Sequence, residues 1–353
     1  MDIIELLKNA AERDSSDIYI VAGKPLTCKI HGKLVNLGDV RVDPAMAERI
    51  VKGIYFLAAN RDVNRVALTG DDDFSFALPG VARFRVSAYK QRGSLAAVVR
   101  VVQFALPDPK ELGIPQTVLD LSRHTRGMIL VTGPAGSGKS TTLACLIDLI
   151  NNTRTDHIIT LEDPLEYLHG HKKSIVSQRE ISTDTESYVK ALRAALRQSP
   201  DVVLLGEMRD FETINIAMTA AETGHLLIST LHTVGAANTI DRIIDVFPPA
   251  QQHQIRIQIS MVLQAVVSQQ LVPAVDGTVV PAFEIMLVNS AIRNMIREQK
   301  IHQIETVIQS SAADGMVSMD ASLLALYKNG VISSGTAVTH STNPDTMTKK
   351  VKL

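Results

Sequence analysis

Residues 133–141 read Gly133-Pro-Ala-Gly-Ser-Gly-Lys139-Ser140-Thr141 and fit G-x-x-x-x-G-K-[ST], the pattern of a phosphate-binding loop. Glycines in such a loop let the backbone curl so that successive N–H groups point at an anion. Lys139 can reach the β- and γ-phosphates of a nucleotide, and Ser140 can ligate Mg²⁺. The stretch therefore predicts a site for ATP and Mg²⁺ made of Gly133, Gly136, Ser137, Gly138, Lys139, Ser140 and Thr141.

The residues on either side of this loop predict a strand, a loop and a helix, in that order. Residues 127–132 are an apolar run that is expected to be a buried strand. After the loop, Leu143, Leu146, Ile147 and Ile150 repeat at helical spacing. The phosphates are therefore expected at a helix N-terminus, where N–H groups and the helix dipole favour anions.

Composition limits what the whole chain can be. Its 353 residues suggest about two domains, and 45% hydrophobic content is enough to fill their cores. A formal net charge of −1 gives no global basic field for binding nucleic acid. The two cysteines, Cys28 and Cys145, are too few and too far apart for a disulfide framework or a four-cysteine zinc site, so a reducing cytoplasm is the simplest setting.

Neither end of the chain nor any internal run predicts direct insertion into a membrane. The first eight residues form a short amphipathic segment with acidic residues, unlike a signal peptide. No run offers about 18 uninterrupted apolar residues. A membrane role is therefore expected to act through partner proteins.

The first part of the chain, residues 1–104, predicts a small α+β domain. Strand-like runs at 18–21 and 96–102 are broken by turn residues, including His31-Gly32. Three prolines within residues 105–115 disfavour both helix and sheet. We therefore expect a linker over 105–118.

The second part, residues 119–333, predicts an α/β domain. Apolar runs alternate with helical stretches, which favours a parallel sheet covered on both faces, with the nucleotide at the carboxyl ends of its strands. Residues 250–330 are expected to be mostly helical, and the polar residues 334–353 are expected to form a disordered tail. The further buried strands are predicted at 158–161, 202–205 and 226–231.

Carboxylates follow two of these predicted strands. Glu207 comes after the strand at 202–205, where it would face Mg²⁺ or its water shell, although a surface turn is the alternative. The strand at 158–161 runs into Glu162-Asp-Pro-Leu-Glu166, which has three carboxylates in five residues. Such a cluster suits water activation, because like charges raise and Mg²⁺ lowers carboxyl pKa values. A solvated acidic turn is the alternative.

Histidines and arginines supply the other candidate side chains. His225 and His232 flank the strand at 226–231 and lie too far apart to ligate one metal, so phosphate sensing is the better use for them. Arg193 and Arg197 are four residues apart on one predicted helix face. Arginine can stabilise charge on a transferred phosphoryl group, often across a subunit boundary, and ordinary salt bridges are the alternative.

Taken in order, these segments resemble the secretion-type ATPases of type II and type IV systems, and most closely their pilus-retraction subfamily. The resemblance spans nearly the whole chain. It rests on a phosphate-binding loop at 133–141, an acidic box at 162–166, an acidic strand end at 202–207 and a histidine box at 223–233. It implies a PAS-like domain, then a RecA-like P-loop ATPase domain, in a homo-hexamer with nucleotide between subunits.

The resemblance also implies roles for individual residues. Glu166 matches the family's catalytic glutamate and Glu207 its acid on the metal side, which makes Ser140 and Glu207 the metal-side residues. His225 and His232 match the histidine-box positions. The arginines that match family positions thought to approach phosphates are Arg85, Arg100, Arg193 and Arg197.

One segment points to the retraction subfamily. Residues 291–298 read AIRNMIRE, similar to the subfamily's AIRNLIRE motif with Met295 for leucine, a swap that keeps volume and apolarity. An ordinary amphipathic helix is the alternative. Tyr19 departs from the family pattern, because relatives often have histidine there, and the residues after 333 follow no family pattern.

The leading functional hypothesis is a cytoplasmic ATP-driven ring at the inner face of the membrane. It would dock on the inner-membrane platform protein of a type IV pilus and power removal of pilin. A pilus-assembly or type II secretion ATPase is the nearest rival, but those relatives usually carry a longer N-terminal region. A nucleic-acid motor is disfavoured by the neutral charge and 4% aromatic content. An ATP-binding regulator without turnover is disfavoured by the acids at 166 and 207.

Overall fold

The computed structural model describes residues 2–30, 32–102 and 106–352. It divides into two compact units, one of Met1–Ala105 with Glu166–Leu168 and the other of Leu106–Leu165 with His169–Leu353. The domain boundary predicted between residues 104 and 105, and the predicted turn residue His31, lie outside the described residues. Residues 106–115 contain no helix or strand, and the first helix of the second unit begins at Gln116, inside the predicted linker.

The first unit is an antiparallel sheet with helices packed on it. The sheet order is β3-β2-β1-β6-β5-β4. Alternate residues of its strands are buried, as expected where one face packs on a core. The strands are β1 (Ser15–Ile20), β2 (Pro25–Ile30), β3 (Lys33–Arg41), β4 (Asp71–Leu78), β5 (Ala82–Gln91) and β6 (Ser94–Val102), and the helices are α1 (Ile3–Glu12), α2 (Pro44–Leu57) and α3 (Asn64–Thr69).

Local sequence explains where these helices begin. Asp2 caps α1, its carboxylate accepting a hydrogen bond from the backbone N–H of Ile4 at 2.9 Å. Asp43 caps α2 in the same way, and Pro44 occupies the first turn, where its fixed φ suits a helix. This part of the chain is α+β, as the sequence predicts.

The second unit is built on a larger sheet of order β13-β12-β7-β11-β10-β8-β9. All of its neighbouring strands run parallel except the β12–β13 pair. The strands are β7 (Gly127–Thr132), β8 (His157–Glu162), β9 (Ile175–Glu180), β10 (Val202–Leu205), β11 (Leu226–Leu231), β12 (Leu263–Pro273) and β13 (Val279–Leu287).

Helices cover both faces of this sheet. Along β7, Met128 and Leu130 pack into one buried cluster, whereas Ile129 and Val131 pack into another on the opposite face. The α/β prediction is confirmed. The helices are α4 (Gln116–Asp120), α5 (Lys139–Thr153), α6 (Tyr188–Ala195), α7 (Phe211–Glu222), α8 (Ala236–Asp245), α9 (Pro249–Val262), α10 (Ser290–Arg297), α11 (Ile304–Ser310), α12 (Met319–Lys328), α13 (Ser334–His340) and α14 (Pro344–Val351), with 3₁₀ turns at Leu121–Arg123, Ile301–Gln303 and Ala312–Asp314.

Two expectations for the C-terminal part are wrong. Residues 263–287 are not helical, because β12 and β13 form a hairpin that extends the sheet beside β7. The tail after residue 333 is not disordered. It forms α13 and α14, and Ala337 and Met347 are buried in a cluster with Leu323 of α12. A few well-spaced apolar side chains anchor an otherwise polar segment.

Candidate active site

The phosphate-binding loop joins β7 to α5, as the sequence predicts. Gly133, Gly136 and Gly138 have φ of 138°, 75° and 85°, values that L-residues with a side chain rarely adopt. Gly138 is the N-cap of α5 and provides no side-chain cap. The first N–H groups of a helix have no partner within the helix, so this end of α5 suits an anion.

Lys139 is folded against its own loop. It is buried, and its Nζ donates hydrogen bonds to the carbonyl oxygens of Gly133 at 2.9 Å and Pro134 at 2.8 Å. Ser137 is also buried, and its Oγ has no hydrogen-bond partner among the residues that the structure describes. A buried donor without a partner costs free energy, so the loop's chemistry fits a phosphate oxygen as that partner.

Glu207 lies at the carboxyl end of β10, two strands away from β7 in the sheet. It is 9% exposed. One carboxylate oxygen pairs with the Arg209 guanidinium, and the other lies 3.4 Å from Nε2 of His232. The backbone holds this arrangement, because Met208 N donates to the carbonyl of Thr230 at 3.1 Å on the neighbouring strand. The structure thus brings Glu207 and His232 together, with Arg209 as an unpredicted third member.

Tyr188 is a further member that sequence reasoning missed. Its hydroxyl lies beside Gly206, where an added Cβ would be 2.8 Å from it. Burial, followed by the charges of Glu207, Asp163 and Glu162, raises the pKa of Tyr188. The phenol therefore stays protonated beside three carboxylates and can donate a hydrogen bond there.

The acidic box follows β8, next to β10 in the sheet. Leu161 pairs with Leu205, and Gly206 N donates to the Leu161 carbonyl at 2.8 Å, which holds the two strand ends side by side. Glu162 ends β8, and the Asp163–Pro164 peptide is cis. Glu166 is exposed and is grouped with the first unit. Its catalytic role stays a prediction.

His232 and His225 lie at opposite edges of the sheet. β11 pairs with β7 from Leu226 opposite Gly127 to Leu231 opposite Thr132, so His232 follows the strand beside the phosphate loop. His225 precedes the strand, roughly 20 Å away along the chain. Its Nδ1 lies 2.9 Å from the carbonyl oxygen of Ala220 at the end of α7. Within one chain, the structure does not bring His225 to the phosphate loop.

The arginines of α6 are not arranged as predicted. The helix ends at Ala195, so Arg197 lies in the following turn and does not share a helix face with Arg193. Arg197 Nη1 instead donates to the Arg193 carbonyl at 2.9 Å, as basic side chains often do at helix C-termini. Arg193 pairs with Glu212 at 2.8 Å, and all three side chains are exposed. Pro200 keeps the helix from continuing through Ser199, because the residue before a proline disfavours the helical conformation.

Arg85 and Arg100 face each other across the β5–β6 pair in the first unit. Arg100 Nε donates to Asp17 at 3.1 Å, while its side chain remains 61% exposed. Like charges directly opposite on neighbouring strands are destabilising. The placement leaves their proposed role toward phosphate as a prediction.

A pocket of about 380 Å³ opens beside the phosphate loop and was not predicted. Gly138, Thr141 and Thr142 form one side of it. Its other walls are mostly apolar and come from the linker, from the β12–β13 hairpin and from α12, namely Leu112, Ile114, Leu271, Val280, Pro281 and Leu326. The three prolines within residues 105–115 predicted a linker there, and this pattern does not indicate that Leu112 and Ile114 line a pocket.

Comparison with known families matches most of this chain. A sequence model described as type II/IV secretion system protein matches residues 1–303. The chain belongs to this family. Membership confirms the resemblance drawn from the four motif segments.

Curated relatives in the family cover almost all of the chain. The type IV pilus retraction ATPase PilT of Pseudomonas aeruginosa is 44% identical over 94% of this chain and 96% of its own length. A twitching motility protein of Neisseria gonorrhoeae is 43% identical over 98% of this chain and 92% of its own. The type IV pilus ATPase PilU of Pseudomonas aeruginosa is 36% identical over 100% of this chain and 92% of its own length.

Solved structures of the family agree. The pilus retraction motor PilT with bound ADP matches with a TM-score of 0.89 and 46% identity over 98% of both chains. The ATPase DotB of Legionella pneumophila matches with a TM-score of 0.75 and 27% identity over 95% of this chain and 94% of its own. The predicted ATPase fold is therefore confirmed, whereas the PAS-like assignment of the first domain stays a prediction.

Proposed function

We propose that this protein is an ATP-hydrolysing motor that powers retraction of a type IV pilus. One observation carries the proposal: the phosphate loop, Glu207 and His232 follow three neighbouring strands at the same edge of the sheet. That edge is where α/β proteins bind nucleotides. The high identity to a retraction ATPase and to a twitching motility protein supports pilus retraction as the output.

Residues of the loop and pocket would hold ATP. The N–H groups at the start of α5 and the buried Ser137 hydroxyl would bind phosphate oxygens. Lys139 would exchange its loop carbonyls for the β- and γ-phosphates, a change that needs only rotation of its flexible side chain. The apolar walls of the neighbouring pocket suit a nucleobase.

Ser140 and Glu207 would hold Mg²⁺, Ser140 through its hydroxyl and Glu207 directly or through water. The metal, when bound, neutralises charge on the phosphate oxygens. Glu166 would accept a proton from the attacking water, and His232 would sense the terminal phosphate beside Glu207. Arg85, Arg100, Arg193 and Arg197 would stabilise charge on the phosphates, and His225 would act only where two chains meet.

The motor would be a homo-hexamer that docks on an inner-membrane platform protein and acts indirectly on pilin. The hexamer would work from the cytoplasmic face of the inner membrane. Within residues 2–30, 32–102 and 106–352, none of the helices has the length and apolar character needed to cross a bilayer. Exposed arginines such as Arg193 suit a site shared between subunits, because an arginine from a neighbour can complete a phosphate site.

Two substitutions test the division of labour in the site. Lys139→Ala should abolish nucleotide binding, because the main phosphate cation is lost, while Glu166→Gln should keep binding and suppress turnover about 100-fold or more. ADP binding and steady-state ATP turnover are measured on the same preparations, with the exposed Lys52→Ala as the matched control. Equal loss of binding in both variants would contradict the assigned roles.

A cellular experiment separates retraction from assembly. Deletion of the gene should leave cells with long pili and no surface motility. Cells without pili would instead assign the protein to assembly.

A further inference from the structure

A buried glutamine outside the recognised motifs packs against the phosphate loop. Gln269 lies on β12 and is 4% exposed. β12 runs parallel to β7 as far as Ser268, which pairs with Thr132, the last residue of that strand. Gln269 is therefore the next residue of the sheet beside the start of the loop.

The side chain of Gln269 ties β12 to the helix that follows the loop. Thr142, on the first turn of α5, donates a hydrogen bond from Oγ1 to Gln269 Oε1 at 2.8 Å. Thr142 is 1% exposed, so this bond is shielded from water. Loss of one partner would leave the other buried without a hydrogen bond.

The backbone and the amide of Gln269 touch the loop at both of its ends. A Cβ added to Gly133 would lie 2.1 Å from the Gln269 carbonyl oxygen, and one added to Gly138 would lie 2.8 Å from Gln269 Nε2. A Cβ added to Gly136, in the middle of the loop, would meet no atom within 4 Å. Two of the three glycines thus leave room for Gln269 as well as adopting positive φ.

We propose that Gln269 is a positioning residue that fixes both ends of the phosphate loop in the conformation that binds nucleotide phosphates. It acts through Thr142, Gly133 and Gly138 rather than by contacting the reacting atoms. The inference rests on the proposed function, since a loop that binds no nucleotide has nothing to position. Gln269 also lines the pocket beside the loop, so a shift of its side chain moves a wall of that pocket.

The first test is Gln269→Leu, which removes the amide at nearly constant volume. The dissociation constant for a fluorescent ADP analogue should rise about tenfold, the effect of losing one buried hydrogen bond. The KM for ATP should rise in parallel, while kcat at saturating ATP stays within about twofold of wild type, because Lys139, Glu166 and Glu207 are unchanged. A merely structural role predicts no such split.

Gln270→Leu is the matched control. Gln270 is the next residue of β12, and its side chain faces His340 at 3.3 Å rather than the loop. This variant should bind the ADP analogue as wild type does. Equal weakening by Gln269→Leu and Gln270→Leu would mean general damage to the strand and would overturn the inference.

Thr142→Val provides a second route that does not depend on folding of the leucine variant. It should also weaken ADP binding, and the Gln269→Leu/Thr142→Val double variant should be no weaker than Gln269→Leu alone, since both remove the same bond. Nucleotide-free melting temperatures report folding of each variant. If wild type binds ADP and either single variant binds within twofold of it, the inference is wrong. If wild type binds no ADP, the proposed function fails first and the inference with it.

Discussion

The side chains around Glu207 come from three separate segments of the second unit. Arg209 pairs with it two residues later in the chain, His232 approaches from the end of β11, and Tyr188 lies close by at the start of α6. The pairing with Glu207 raises the pKa of Arg209. The guanidinium on one carboxylate oxygen and the imidazole near the other hold the Glu207 side chain in a fixed orientation, as a metal-side acid requires.

Glu207→Gln should therefore lower ATP turnover at least about 100-fold, because the neutral amide lacks the negative charge that attracts Mg²⁺ and its water shell. ADP binding in the presence of a chelator should change less than about threefold, since the loop itself is intact. The measurement is turnover and nucleotide binding across a Mg²⁺ titration. Glu305→Gln on α11, where the side chain is exposed, is the control, and a variant at 207 with the wild-type Mg²⁺ response would contradict the assignment.

His169 gives the second unit a predicted pH dependence. Burial lowers the pKa of His169 from 6.5 to about 4. Its Nδ1 is buried and has no hydrogen-bond partner within the residues that the structure covers. Above pH 6.5 the ring is neutral in both folded and unfolded chains, so it adds no pH dependence there. As the pH falls from 6.5 toward 4, the unfolded chain takes up a proton that the folded chain does not.

Between pH 6.5 and pH 4, His169 should consequently lower the free energy of unfolding by about 3 kcal/mol. In His169→Gln this contribution should be absent. Chemical denaturation of both proteins at several pH values between 4 and 7.5 gives the difference directly. Parallel pH profiles for the two proteins would show that His169 titrates normally.

At the scale of elements, a side chain of α10 contacts the C-terminal end of α9. The AIRNMIRE segment forms α10, with Ile292 and Ile296 buried, as its amphipathic pattern indicates. Arg293 crosses to the end of α9, where Nη1 donates to the carbonyls of Ser260 at 2.5 Å and Met261 at 2.9 Å. These are among the last carbonyls of a helix, which lack partners within it. The motif arginine therefore fixes the point where α9 passes into β12.

The C-terminal helices α13 and α14 should contribute to the stability of the second unit, because they pack against α12. Met347 of α14 is 1% exposed. Met347→Ala should lower the free energy of unfolding by about 2–4 kcal/mol, through lost burial and the cavity left behind. Met261→Ala is the matched control, because that side chain is 55% exposed and its loss should cost less than about 0.5 kcal/mol. Equal melting temperatures for the two variants would show that α14 does not pack in solution.

The sequence predicts well those elements that depend on patterns among neighbouring residues. The strand at 127–132, the glycine loop and α5 occupy consecutive residues, so spacing alone indicates them. The contact of Gln269 with Thr142 joins residues 127 apart, and no local pattern reports it. The β12–β13 hairpin was missed because Leu263 directly follows α9 and its strand has no preceding turn residues. The tail was missed because its polar composition outweighed its few buried side chains.

At the scale of the whole molecule, the larger sheet collects groups that are far apart in the chain. The phosphate loop, Glu207 and His232 follow β7, β10 and β11 at one edge, while His225 lies at the other. His225 could therefore act at a phosphate site only in the proposed assembly, where a second chain could bring such a site to that edge. Three of the four candidate arginines fit the same proposal, because they lack the burial that a site complete within one chain would give them. These exposed residues are Arg100, Arg193 and Arg197.

Mixing active and inactive chains tests this shared-site assembly. Wild type is combined with Glu166→Gln at fixed total concentration, after exchange of subunits, and ATP turnover is measured against the inactive fraction. If one inactive chain stops a ring of six, an equal mixture should retain only about 2% of the activity, whereas independent chains should retain about half. Turnover per chain should also rise with protein concentration, since dilution dissociates shared sites. Mixing with Lys52→Ala, which is expected to be active, controls for dilution, and a strictly proportional loss with Glu166→Gln would mean that each chain works alone.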